Sequence, residues 1–238
     1  MKKENAVNFL LFSYFGITLE NSKDDIISAA INRAYRDAAS HVLSLKDDSK
    51  KDTEKGQTLY ANASKLIKVF IEAVLPNETQ NEIDYDNKHS ILCTDLKILY
   101  DNCANSRYEF SYGVAQKWVN MTMKYLGVIL TIFSEYNNTH VFVNTCKNSF
   151  QAIEHSLHVP IDGYILEYVS NKKYSNVEPI NIAKKENKNN LAWSKYKEEN
   201  YKTLQKNIKE KFIQEKASPL DWENKAWIDV AKRKKQVQ

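Results

Sequence analysis

Apolar residues recur at three- and four-residue spacing along most of this chain, and polar runs separate the periodic segments. That pattern predicts helices joined by loops. A short apolar segment covers 6–15 and ends near Gly16. Ser22 is placed to cap the next helix, with Asp24 and Asp25 in its first turn. Ile26, Ile27, Ala30, Ala34, Ala38 and Val42 then follow helical spacing. Residues 46–55 are charged and read as an exposed loop. A helix over about 57–75 carries Leu59, Ala63, Leu66, Ile67, Phe70 and Val74 on one face, and Pro76 stops it. A polar linker, 77–88, leads to a helix marked by Ile91, Leu92, Leu96 and Leu99. A turn over 105–113 precedes the most apolar helix, about 114–133. After a loop at 135–139, residues 140–144 alternate like a short, isolated strand. Helices are expected over about 147–157 and 162–169, the second just after Pro160. Residues 171–190 read as polar loop. Two last helices are expected over about 192–214 and 219–234.

Composition supports an all-α fold. Glycine (5) and proline (4) are too scarce for the many turns of a β protein of 238 residues. The 14 Tyr, 9 Phe and 4 Trp supply material for a real core. One helical unit over 1–238 is expected, built of two packed helical subdomains. Its approximate parts are N-terminal helices (1–104), a central segment (105–170) and C-terminal helices (191–238).

The net charge of +4 permits nucleic acid as a partner without demanding it, so charge clustering has to decide. The closing Lys232-Arg233-Lys234-Lys235 is such a cluster, although basic residues at a helix C-terminus also complement its dipole. Cys93, Cys103 and Cys146 are odd in number and lack metal-ligand spacing, so free thiols in a reducing cytoplasm are expected. Neither a signal peptide nor a membrane span is expected. Walker, dinucleotide-binding, nucleophile-elbow and zincin motifs are all missing from the sequence.

Two segments carry candidate chemistry. The first is Tyr112-Gly113-Val114-Ala115-Gln116-Lys117-Trp118, where a turn meets the long apolar helix. Glycine permits a positive φ there. The unpaired N–H groups of the first helical turn would seat a phosphate. Lys117 follows within the first turns, where the dipole and burial both disfavour its charged form. A lysine so placed is a candidate amine nucleophile. The second segment is His158-Val159-Pro160-Ile161-Asp162-Gly163-Tyr164, in which Asp162 is set to cap a helix as a carboxylate. A neutral amine facing a fixed carboxylate suits chemistry through an oxocarbenium-like centre. Each residue taken alone has an ordinary structural explanation: a solvated lysine and a helix cap.

Together and in this order the two segments resemble the helix-hairpin-helix DNA glycosylases, in particular the 8-oxoguanine glycosylase-like branch. Gly113-Val114-Ala115-Gln116-Lys117 matches the hairpin pattern G-V-G-x-K, with Ala115 in place of the second glycine. Val159-Pro160-Ile161-Asp162 matches the downstream segment with the family's aspartate, without the histidine that usually follows. The likeness covers about twenty residues. The Lys–Asp separation of 45 residues is about twice the family's, which makes 131–157 an insertion. The resemblance implies catalysis by Lys117 and Asp162 on double-stranded DNA with a modified or damaged base. It implies phosphate binding by the backbone of Gly113, Val114, Ala115 and Gln116, helped by Lys124. A monovalent cation in the hairpin is allowed and no other cofactor is expected. Tyr112, Trp118, Tyr164 and His158, together with Phe110, flank the motifs and are the candidates for a base pocket. The target is a flipped-out nucleotide. Oxidised guanine in repair and a bulky phage base such as glucosylated hydroxymethylcytosine in antiviral defence are the two substrate classes to test. A monomer is the default expectation.

Two other classes compete. Arg36 and His41 resemble the R-x4-6-H motif of HEPN ribonucleases, but lie about 140° apart on a helix at about 100° per residue, so convergence would need a dimer. A non-enzymatic helical scaffold is the third reading.

Overall fold

The computed structural model describes residues 2–39, 53–75, 84–101, 110–137, 140–170 and 192–236. The described residues are all-helical and contain no strand. The helices are α1 (Lys3–Phe15), α2 (Lys23–Ala38), α3 (Glu54–Val74), α4 (Tyr85–Asp101), α5 (Tyr112–Tyr136), α6 (Val141–Ile153), α7 (Gly163–Ser170), α8 (Glu198–Gln214) and α9 (Pro219–Gln236). Short 3-10 turns occupy Glu154–Ser156 and Trp193–Lys195. None of these helices is long and apolar enough to cross a membrane.

Local chemistry sets several boundaries. Ser22 caps α2 through a reciprocal capping box with Asp25. Gly16 ends α1 in the left-handed region, at φ 75°, which costs glycine nothing. Thr53 caps α3 and Ser111 caps α5, each accepting a backbone N–H three residues on.

Helix α5 is the axis of the fold. Residues 112–120 are buried all round its circumference, as expected of a helix with neighbours on every side. Its most extensive contact is with α2, and α4, α6, α8 and the Trp193–Lys195 turn also pack on it. One hydrophobic cluster includes residues from all three expected parts of the chain, so their cores are continuous.

The structure corrects three expected elements. Residues 141–144 begin α6 and form no strand, because Val143, Cys146, Phe150 and Ile153 recur at helical spacing and are buried. The stretch expected as one helix from 192 divides into a 3-10 turn at Trp193–Lys195 and α8 from Glu198. The segment treated as an insertion completes α5 and forms α6. Helix α6 packs against the far half of α5, where Phe150 covers Gly127. Pro76, the loop over 171–190, Cys103 and His41 lie outside the described residues, as does most of the loop over 46–55.

Candidate functional site

Asp162 reaches its position through an extended run, 157–161, that returns from the Glu154–Ser156 turn to the first half of α5. Buried amides hold this run. Gln205 on α8 donates to the Val159 carbonyl at 2.6 Å and accepts the Val159 N–H at 3.2 Å. Asn120 and Gln116 on α5 donate to the carbonyls of Val159 and Ile161, each at 3.4 Å. The run then opens α7, and Asp162 caps it. Its Oδ1 accepts the N–H groups of Tyr164 and Ile165 at 2.9 and 3.0 Å. Its Oδ2 is left to face Lys117 Nζ at 3.9 Å.

Lys117 and Asp162, 45 residues apart in sequence, are therefore neighbours in space. Lys117 is 8% exposed. The ring of Trp193 lies over its ammonium, with Nζ 4.4 Å from the centroid. Burial lowers the lysine pKa from its ordinary value, against the upward pull of Asp162, then Asp37 and Glu223. Desolvation is thus the main cause of the shift.

The phosphate seat expected at the start of α5 is occupied by the protein itself. The Gly113 N–H donates to the Tyr196 carbonyl at 2.9 Å. Val114 and Ala115 donate to Ser111. Gly113, Val114, Ala115 and Gln116 are all buried. Gly113 is helical and does not need a positive φ; the described glycine with one is Gly16. Close approach explains its residue type: a Cβ there would stand 2.0 Å from the Trp193 carbonyl oxygen. Gly113→Ala is therefore expected to force the 193–196 turn off α5 and destabilise the fold by about 1–3 kcal/mol. A thermal melt would show this, and an unchanged midpoint would contradict the packing.

Other candidates also sit differently from the expectation. Lys124 does not serve the surface. It forms a 2.5 Å ion pair with Glu223 on α9, a residue 2% exposed. Trp118 is fully buried, donates from Nε1 to the Ile31 carbonyl at 3.1 Å and packs against Tyr35 and Tyr60. Phe110 and Tyr112 are core residues, the first stacked on Tyr100 and the second tilted against Tyr201. Tyr164 is half-buried beside Trp227, with Lys234 over its ring.

His158 belongs to a second polar network on the other side of the 157–161 run. Its Nε2–H donates to Asp86 at 2.7 Å, and its Nδ1 hydrogen-bonds the Tyr201 hydroxyl at 2.8 Å. Asn120 donates to Tyr201 and accepts from His89 Nε2–H at 2.8 Å. His89 is fully buried on α4, and burial pushes its pKa well below 6.5. The folded chain keeps His89 neutral where the unfolded chain takes up a proton. Stability contributed above pH 6.5 is therefore lost as the pH falls below it, by about 1.4 kcal/mol per pH unit. Thermal midpoints measured from pH 7.5 to 5.5 should fall, and His89→Gln should flatten the slope. An equal slope in the variant would exclude His89 as its source.

Glu223, Trp193, Asp37, His89 and Tyr201 were not among the sequence candidates. A signal existed for two of them. Glu223 shares the buried stripe of Leu220, Trp222, Ala226 and Val230, and His89 shares that of Tyr85, Leu92 and Leu96. A charged or titratable residue on an apolar stripe needs a buried partner. Trp193, Asp37 and Tyr201 meet the site only through packing between distant segments.

Comparison with family models, curated proteins and solved structures gives no match to this chain.

Proposed function

We propose that the chain is a DNA glycosylase with lyase activity, of helix-hairpin-helix type, in which Lys117 is the nucleophile and Asp162 its carboxylate partner. The observation that carries this reading is the Lys117–Asp162 pair: a desolvated amine beside a carboxylate held by its own capping bonds. The first amides of α5 offer no phosphate seat, because they are already bonded within the protein.

In this mechanism the target nucleotide leaves the base stack. Neutral Lys117 Nζ attacks C1′ and forms a C–N bond as the glycosidic C–N bond breaks. The base departs with that electron pair and takes up the amine proton that Asp162 relays. Asp162 Oδ2 stabilises positive charge at the sugar and receives the proton of the attacking amine. Opening of the sugar ring, with O4′ taking a proton, gives a Schiff base, and β-elimination then releases a C2′ proton to solvent as the C3′–O bond breaks and the 3′ phosphate leaves. The substrate has to pass beside Trp193, whose ring covers Nζ. An aromatic surface at that point suits stacking on a flipped base.

The test is borohydride trapping on duplexes carrying 8-oxoguanine or an abasic site, and on phage DNA with glucosylated cytosines. A covalent protein–DNA band identifies the imine, and the duplex that gives it names the substrate. Without trapped DNA or new abasic sites, the glycosylase reading fails. The bonded α5 amides and the buried Trp118 favour one second reading, a non-enzymatic helical scaffold in which the charge pairs are structural. The ribonuclease alternative retains Arg36, exposed near the end of α2. Loss of RNA cleavage on His41→Ala is its test.

A further inference from the structure

Lys117 and Lys124 are seven residues apart on α5, two turns, and therefore share a face of the helix. Each meets a carboxylate from a different later helix. Asp162 opens α7, and Glu223 lies in the first turns of α9. We infer that the Lys124–Glu223 ion pair is a positioning device for the reactive amine, a locked neutral unit that keeps a buried carboxylate from claiming Lys117 as its counterion. This rests on reading Lys117 as the nucleophile.

The geometry supports the role. Glu223 is 2% exposed, so its charge has almost no water to solvate it and has to be balanced by a cation nearby. Two lysines are within its electrostatic reach. Lys124 holds it by direct contact at 2.5 Å, and Lys117 acts on it through space. Burial raises the Glu223 pKa, and Lys124 opposes the rise more strongly than Lys117 does. The carboxylate of Glu223 is thereby held in direct contact by Lys124, and the carboxylate in ion-pair reach of Lys117 is Asp162. The other charged group in play is Asp37 on α2, which is itself tied to Arg33 at 3.3 Å. The charges acting on Lys117 thus come from α2, α7 and α9, and Lys124 meets the last of them on the same face of α5.

The two members of the pair should shift Lys117 in opposite directions, which a merely structural contact would not do. Glu223→Gln removes an anion and leaves Lys124 uncompensated, so the Lys117 titration midpoint falls. Lys124→Met leaves Glu223 to draw on Lys117, so the midpoint rises. The double variant removes both charges and returns the midpoint toward wild type. Lys124→Arg keeps the pair and should behave as wild type.

The experiment pulses the full-length protein with acetic anhydride across pH and reads acetylation at Lys117 by peptide mass spectrometry. Opposite shifts of about half a pH unit or more in the two single variants are expected. Shifts in the same direction, or unchanged midpoints in both, overturn the proposal. Circular dichroism verifies folding. Should Lys124→Met not fold, Glu223→Gln is compared with the double variant. Recovery toward wild type is then the expected result, and equal midpoints in these two overturn the proposal. The labelling uses no DNA. Failure to trap DNA with normal labelling shifts removes the glycosylase reading alone, and absent shifts with normal trapping remove this inference alone.

Discussion

Lys117→Ala is expected to abolish the borohydride-trapped band while leaving the helical fold in place. The amine is the atom that bonds to C1′, and no other described group touches Asp162 Oδ2 as a cation. Loss of the side chain should cost little stability. Asp162 keeps both capping N–H bonds, and the lysine itself carried a desolvation penalty. Asp162→Asn is the companion variant. Asparagine caps a helix about as well as aspartate, so α7 should persist. Without the charge, stabilisation of the cationic sugar is lost, and the rate should fall about 10²- to 10³-fold, the magnitude seen for a lost electrostatic stabiliser. Single-turnover base release checks the rate and thermal melting checks the fold. Equal trapping by wild type and Lys117→Ala would take the nucleophile away from Lys117. Loss of folding in Lys117→Ala would instead support the scaffold reading.

Trp118→Ala is expected to destabilise the fold by about 3–5 kcal/mol, the cost of deleting a large buried aromatic. Trp118 has no exposed surface, and its neighbours come from different helices. Tyr35 is on α2, Tyr60 on α3 and Tyr100 on α4. The cavity would therefore open where four helices meet, with little scope for collapse. The bond from Nε1 to the Ile31 carbonyl is lost as well. Chemical denaturation measures the effect. A loss below about 1 kcal/mol would mean that the ring is not in the core and would restore it as a base-pocket candidate. Trp118→Phe keeps much of the volume and should cost clearly less.

The positions of α2, α3, α4 and α7 were legible because each alternates buried and exposed faces at helical spacing. Strong local signals also marked their ends: Ser22 with Asp25 at the start of α2, and Asp162 at the start of α7. The two errors of type have physical causes. Residues 140–144 alternate over a span too short to distinguish a strand from a helix, and the later contacts of Cys146, Phe150 and Ile153 decided it. The 192–197 stretch carries helical composition. It is held as a 3-10 turn by Gly113, whose amide bonds to Tyr196 and whose missing side chain admits the Trp193 carbonyl.

The candidate site divides in the same way. Lys117 near a helix start and Asp162 as a cap follow from local order alone, since capping and helical phase depend on neighbours within four residues. So do the all-α class and the apolar character of α5. Their approach to 3.9 Å, the Trp193 ring above the amine and the Lys124–Glu223 pair were decided only by tertiary structure. So was the burial of Trp118 and of the α5 amides. These depend on which distant segments share the core around α5. Packing of the whole chain sets that arrangement, and with it the loss of water that shifts Lys117 and commits Glu223 to Lys124.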